Sequence, residues 1–319
     1  MSTDAAQERD AGRFPLLRRG LKIVVPIAAI ALAGFLLHRT LSGHSYAELA
    51  GLLRQAKPGH VAAALGFAFC SYGCLTLFDL LALHYAQKPL AYRRVALASF
   101  VSLSLGHNIG LAALSSGAIR YHFYSRWGLG AGDVAKVILF CGATVGIGLG
   151  TLAGLALILK GELAAKLTGL PPGSILALGC GLLLAMAGYL ALCAFVRGEL
   201  EIRSWRVRLP PLRLAALQFV VGPLNFLFVA ACLHQALSAI ADAAYLDVAA
   251  SYVLANIASL IAHVPGGLGV IEAVVATTMP GAGVVAGLIL FRLAYFLVPL
   301  LLGSTLFAVS ALIGRQKAG

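Results

Sequence analysis

Eight long apolar runs, at about 21–37, 60–85, 96–118, 134–159, 174–196, 213–236, 248–279 and 284–313, leave this chain one kind of fold. Several exceed the roughly 18–20 residues that carry a helix across a bilayer. In hydrocarbon every backbone N–H and C=O must be satisfied within its own segment, which excludes lipid-exposed loops and open sheet edges. Sixty per cent hydrophobic residues, 11% charged residues and a mean hydropathy of +0.92 lie far outside the soluble globular range. The alternation expected of a transmembrane barrel is absent. The expected class is an all-α polytopic membrane protein.

The runs fall into two matching sets. Ala98-Ser99-Phe100 recurs as Ala250-Ser251-Tyr252, 152 positions on, and Gly117-Ala118-Ile119-Arg120 recurs at the same shift as Gly269-Val270-Ile271-Glu272. Gly130-Ala131-Gly132, Val134-Ala135 and Ile138-Leu139-Phe140 recur at a shift of 151 as Gly281-Ala282-Gly283, Val285-Ala286 and Ile289-Leu290-Phe291. Arg120 and Glu272 therefore hold equivalent positions in two copies. Interrupted hydrophobic segments at corresponding places in two halves point to a transport site.

Charge decides how the runs cross, because lysine and arginine collect in cytoplasmic loops. Eight full crossings would put 12 Lys/Arg on one side and 11 on the other, with no bias. If the third and seventh runs enter and leave on one side, the division becomes 18 against 5, with Arg292 inside a span and uncounted. The third run holds Gly106, Gly110, Ser115, Ser116 and Gly117, and the seventh holds Pro265-Gly266-Gly267-Leu268-Gly269. A straight helix does not carry such a sequence comfortably. Three crossings and one hairpin per half start the second half from the opposite face. The expected architecture is thus two repeats of about four hydrophobic segments, inverted, each with a re-entrant broken helix.

The division along the chain follows. Residues 1–18 read as a disordered cytoplasmic tail, 19–160 as the first transmembrane repeat (re-entrant at about 96–127), and 161–313 as the second (re-entrant at about 248–279). Residues 314–319 read as a cytoplasmic tail. Ala31-Leu32-Ala33 is similar to a signal-peptidase site, but the first run has a counterpart in the second half and reads as a retained anchor.

Four kinds of residue carry candidate chemistry. Glu272 follows the Pro-Gly-Gly turn by five residues, and an intramembrane carboxylate normally has a partner or a function. Arg292, inside the last run, is the natural partner; the alternative role is a buried ion pair that only fixes packing. Arg120 opens an aromatic stretch from Tyr121 to Trp127. It either holds a lipid phosphate through a bidentate contact or snorkels within an interfacial belt. The helices that return from the glycine turns present N–H groups that suit an anion. His107, Asn108, His234 and His263 lie in or beside the interrupted runs, with Asp79 and His84 late in the second; each reads either as part of a proton relay or as one interhelical hydrogen bond. Asn225, beside Pro223, reads as a local kink.

Other classes are excluded. The net charge of +12 lies in short loops that meet anionic headgroups, and is not a nucleic-acid signal. The six cysteines all fall inside apolar runs and read as small buried hydrophobes. No metal-ligand spacing, phosphate loop or nucleophile-base set is visible. No enzyme, cofactor or metal is expected.

His263-Val264-Pro265-Gly266-Gly267-Leu268-Gly269-Val270-Ile271-Glu272 resembles the Pro-Gly-Gly-Leu-Gly-x-x-Glu signature of the lysylphosphatidylglycerol synthase transmembrane family, also described as flippase-like, of the YbhN type. Gly117 to Tyr124, with Arg120-Tyr121, resembles that family's other marked segment. Leu290-Phe291-Arg292 with Tyr295 and Pro299 resembles its last helix. The resemblance spans residues 20–313. It implies an integral inner-membrane protein of the lipid-flipping kind, without the soluble aminoacyl-transferase domain that some relatives carry. The implied partners are membrane phospholipids with anionic headgroups and lipid-synthesis enzymes; oligomeric state is left open. The expected function is translocation of a phospholipid or related envelope lipid. The alternatives are a proton- or ion-coupled small-anion transporter and a non-catalytic scaffold for lipid synthesis. The lipid-binding or gating set is Arg120, Tyr121, Glu272 and Arg292, the turn residues Pro265, Gly266, Gly267 and Gly269, and Gly117, His107, Asn108 and His263.

Overall fold

A computed structural model describes residues 51–109, 112–196, 199–202, 205–261, 265–279 and 281–316. The expected tail at 1–18, the first apolar run, His263 and the last three residues of the C-terminal tail lie outside the described residues. In chain order the helices are α1 (Pro58–Tyr85), α2 (Tyr92–Ile109), α3 (Ala112–Tyr124), α4 (Ala131–Leu159), α5 (Gly161–Thr168) and α6 (Pro172–Phe195). After a two-stranded antiparallel ribbon, β1 (Glu199–Ile202) with β2 (Trp205–Arg208), come α7 (Leu212–Ser238), α8 (Tyr245–Ile261), α9 (Val270–Thr278), α10 (Ala282–Arg292) and α11 (Val298–Gln316). That ribbon is the one departure from an all-α chain among the described residues.

Local chemistry sets the ends of these helices. Pro58 and Pro172 sit in the first turns of α1 and α6, where the missing N–H costs nothing. α1 closes with a Schellman turn: Lys88 N–H bonds the Leu83 carbonyl and Gln87 N–H the His84 carbonyl, with Gln87 at φ 57. α10 runs on through a π-turn at Leu293–Leu297 into α11. Pro299 cannot donate to the Tyr295 carbonyl four residues back, and the Tyr72 hydroxyl faces that carbonyl at 3.5 Å instead.

Among the described residues five helices are long and apolar enough to cross a membrane: α1, α4, α6, α7 and the continuous Gly283–Ser310 stretch. α1 and α7 form the centre and run antiparallel. Lys57 N–H donates to the Ala239 carbonyl (3.1 Å) and His60 pairs with Gln235 (2.7 Å). Further along, Phe67 stacks near Phe228, Ser71 bonds Asn225 (2.8 Å), and the Tyr85 hydroxyl donates to the Arg208 carbonyl (2.6 Å). Asn225 is therefore a cross-helix ligand of Ser71, where the sequence suggested only a kink beside Pro223.

Small residues let the other spans approach. A Cβ on Gly148 of α4 would lie 2.5 Å from the Gly222 carbonyl carbon of α7, and one on Gly222 would lie 2.8 Å from the Thr144 oxygen. Gly154 of α4 and Gly179 of α6 make a similar contact. Such close backbone approach is the usual way helices associate where lipid removes the hydrophobic drive. α6 buries only 11% of its apolar window, so its outer face is left for lipid.

The third and seventh runs are each two helices folded back on one another. In α2–α3, Ser115 Oγ donates to the Gly106 carbonyl (3.3 Å), and Arg94 at the start of the hairpin lies over Trp127 just beyond its end. In α8–α9, Ser251 Oγ donates to Thr278 Oγ1 (2.9 Å) at the open end, and Gly267 sits against Ser259 at the turn. Gly266, Gly267 and Gly269 have φ of 57°, 62° and 77°, a left-handed region where glycine carries no Cβ penalty. α2 packs on α11 and α8 on α4, so each hairpin also rests on the last span of the other half.

Gly148→Leu and Gly222→Val should both abolish the monodisperse folded protein, because neither side chain fits the α4–α7 crossing. Gly142→Ala on α4, where a Cβ meets nothing within 4 Å, should leave it intact. Fluorescence-detected size-exclusion in mild detergent measures all three.

Candidate functional site

Among the described residues two arginines lie inside the apolar body, and each grips one carboxylate through two hydrogen bonds. In the first centre, Arg120 of α3 donates from Nε to Asp79 Oδ2 (2.9 Å) and from Nη2 to Asp79 Oδ1 (2.8 Å). Its Nη1 donates to Ser116 Oγ (3.0 Å). The Tyr124 hydroxyl adds a bond to Asp79 Oδ2 (2.7 Å), and the Cys141 thiol meets Oδ1 (3.4 Å). Ser116, Arg120 and Tyr124 recur every four residues, so one face of α3 carries all three. The side chains of Arg120 and Asp79 are 4% and 0% exposed. This arginine neither snorkels to an interface nor keeps a free fork for phosphate; Asp79 fills it.

In the second centre the charges change places. Arg292, at the end of α10, donates from Nε to Glu272 Oε1 (2.7 Å) and from Nη2 to Glu272 Oε2 (3.0 Å). The same guanidinium reaches the turn between α8 and α9: Nη1 donates to the Gly266 carbonyl and Nη2 to that of Gly267 (3.1 Å). The Phe296 ring lies 4.6 Å from its central carbon, a cation–π distance. Glu272 stands at the third residue of α9, and its Oε2 accepts from the Gly269 N–H (2.8 Å). The anion seat expected at the start of this returning arm is thus filled by the chain's own carboxylate.

The two centres are variants of one plan. At the shift of 151, Arg292 corresponds to Cys141, and Cys141 lies against Asp79. At 152, Glu272 corresponds to Arg120, and Asp79 falls on Ala231. In both halves the returning arm supplies the middle charge. The partner comes from the second run in one half and from the last run in the other.

Between the centres lies a polar seam on the α1–α7 axis. Ser71 Oγ is shared by Asn225 and the Tyr295 hydroxyl (3.2 Å), and the Tyr72 ring lies tilted beside those of Tyr295 and His107. The turn of the second hairpin meets the tip of the first here: a Cβ on Gly266 would lie 3.3 Å from the His107 carbonyl.

The remaining expected residues scatter. Gly117 faces α4, where a Cβ would lie 2.8 Å from Ile138 Cδ1, and Tyr121 is exposed. Asn108 is buried; its Nδ2 donates to the Ser104 carbonyl (2.9 Å), while Oδ1 has no partner. Pro265 opens the turn. His84 lies exposed, bonded to the Leu80 carbonyl. Among the described residues no group of three His, Cys, Asp or Glu side chains could hold a metal.

Sequence reasoning missed Asp79 as the partner of Arg120, and with it Tyr124 and Cys141. A signal existed. Asp79 and Glu272 are the two acids inside apolar runs, Arg292 is an arginine deep within one, and Arg120 follows another by two residues as the repeat mate of Glu272. Once Glu272 takes Arg292, Asp79 remains for Arg120.

A family model described as the lysylphosphatidylglycerol synthase TM region matches residues 23–303, a stretch that contains both centres. The chain is similar to an uncharacterized protein of Synechocystis (slr0712), with 27% identity over 268 residues, 81% of this chain and 83% of that one. It is also similar to the inner membrane protein YbhN of Escherichia coli K12, with 30% identity over 252 residues, 75% of this chain and 76% of that one.

Removing one partner of a buried pair strands a charge, at a cost of about 3–5 kcal/mol. Asp79→Ala and Arg120→Ala should each lower the thermal midpoint of the detergent-solubilised protein. The double replacement Asp79→Leu/Arg120→Met should recover much of that loss.

Proposed function

The chain belongs to the lysylphosphatidylglycerol synthase TM region family, and on that premise we propose that it is an inner-membrane lipid translocator made of two inverted repeats. The antiparallel α1–α7 pair supports the inversion, since these helices are the corresponding second runs of the two halves. The hairpins support re-entrance. α9 has nine residues and rises about 13 Å, less than half of a hydrocarbon core of about 30 Å. The α2–α3 hairpin opens beside Arg94 and Trp127, at the end where α4 begins. The α8–α9 hairpin opens where Asp247 pairs with Lys160, at the end where α4 finishes. The charge count of the loops supports a cytoplasmic N-terminus.

One observation carries the functional reading: each returning arm is tied to a long span by a buried arginine–carboxylate pair, and the two arms converge on one seam. Irregular backbone at membrane depth is tolerated where it lines a cavity or is buried in protein. Desolvation offsets much of the attraction within such pairs. A lipid phosphate is also a bidentate acceptor for arginine, so it can replace Asp79 or Glu272 without stranding the guanidinium. Each pair then works as a gate that a headgroup opens by exchange. Arg120 and Arg292 take the phosphate, and Glu272 holds the Pro265–Gly269 turn until exchange occurs. The relative named as an inner membrane protein supports the location.

Purified protein in liposomes containing a fluorescent phospholipid tests this. Wild type should expose inner-leaflet label to an external quencher. Glu272→Gln and Arg292→Lys, which break the bidentate contact, should slow exposure at least tenfold while remaining folded. Uptake of a small anion driven by a pH gradient, with no lipid movement, would instead establish the coupled-transporter reading. Full lipid movement by both variants would sink the gate.

A further inference from the structure

Where α1 begins and α7 finishes, the two central helices are joined through three side chains. His60 Nδ1 lies 2.7 Å from Gln235 Oε1, Gln235 Nε2 lies 3.3 Å from His234 Nδ1, and His234 Nε2 lies 3.0 Å from the Ala243 carbonyl. The donors and acceptors here are not free to choose. A carbonyl oxygen only accepts, so His234 carries a hydrogen on Nε2. A neutral His234 then accepts at Nδ1, which turns the amide nitrogen of Gln235 toward it. That leaves the amide oxygen facing His60, whose Nδ1 donates. One backbone carbonyl sets the state of all three side chains.

The same accounting limits how many protons the group holds. His60 gains one on Nε2 with every bond kept. His234 gains one on Nδ1 only if the amide turns round, giving its oxygen to His234 and its NH2 to His60. His60 Nδ1 must then accept, so His60 is neutral. With both rings charged, both nitrogens that face the amide are donors and its one oxygen serves only one of them. We propose that His60, Gln235 and His234 form a one-proton site across the α1–α7 seam. The orientation of the amide decides which of the two rings holds that proton, each ring taking it from water and returning it to water, and a second proton unfastens this end.

The surroundings suit such a site. All three side chains are half-buried, and a cavity of about 360 Å³ lined by Phe67, Phe228, Ala231, His234, Gln235 and Tyr245 opens beside them. Tyr245 sets its ring edge-on to His234 at 5.6 Å, and Ser238 Oγ lies 3.4 Å from Nε2. Among the described residues the charged groups of the adjoining elements are Arg54 and Lys57 before α1, Asp242 in the α7–α8 turn, and Asp247 of α8, which is paired with Lys160 after α4. α10 contributes no charge at this end. The Lys57 N–H to Ala239 carbonyl bond is the neighbouring link that a parted seam would lose first.

Histidine NMR of the full chain in phospholipid nanodiscs tests the proposal, with the two rings assigned from His60→Gln and His234→Gln. In the wild type the pair should take up its protons in two separate steps, as linked sites do; in Gln235→Leu the steps should merge. Nitroxides on the exposed positions Lys57 and Ala244 should report a longer, broader distance at pH 5 than at pH 8, and no change in Gln235→Leu. If that variant does not fold, His60→Gln serves, because a glutamine there meets the amide in either orientation and the distance should become insensitive to pH. A single-step titration of the wild-type pair, or a distance that stays the same between pH 8 and pH 5, overturns the proposal.

Discussion

Everything in this fold depends on holding two guanidinium groups out of water. A lone arginine in a bilayer is costly by any scale, and each of these is satisfied by a carboxylate plus further oxygens. Arg292 does the most. It neutralises Glu272, and its remaining donors take the Gly266 and Gly267 carbonyls that the left-handed turn leaves unpaired. Glu272 in turn accepts the N–H of Gly269, the residue that precedes α9. An isolated nine-residue helix is not stable by its own hydrogen bonds, so α9 persists because an arginine twenty residues away fixes both its turn and its cap. Arg120 does the same for the other hairpin by tying α3 to α1.

The two centres use the same three places in each half yet divide the charges differently, and the division has consequences. Asp79 lies well inside α1 and is sealed by Arg120, Tyr124 and Cys141. Glu272 sits beside a turn, and its side chain keeps 21% of its surface open. An incoming acceptor therefore meets the second centre more readily than the first. In the proposed mechanism that makes the Glu272–Arg292 pair the first to exchange, with the Asp79–Arg120 pair the firmer of the two.

The candidate site was legible in part. Glu272 and Arg292 announce themselves as charges in apolar runs, and the Pro-Gly-Gly-Leu-Gly turn beside them cannot be a straight helix. Arg120 was visible as the repeat mate of Glu272, but its aromatic neighbours suggested a membrane interface. Asp79 was hidden by sequence distance: it lies 41 residues before Arg120, on another helix, and no local period links the two. His60 and Gln235 were hidden for the same reason, 175 residues apart. Side chains that meet only when antiparallel helices settle into register leave no trace in spacing.

The sequence alone determined that this chain crosses a membrane as helices, and its matching runs with their glycine-rich breaks raised the expectation of two related halves. Those conclusions need only hydropathy, charge counts and backbone chemistry, which are properties of short stretches. Tertiary structure decided which charge meets which, where the hairpin turns touch, and which helices lie against each other at the centre. Hydrocarbon tells a segment that it must be helical and apolar. It does not tell an arginine which carboxylate it will find, because only the packing of distant helices brings the two within reach.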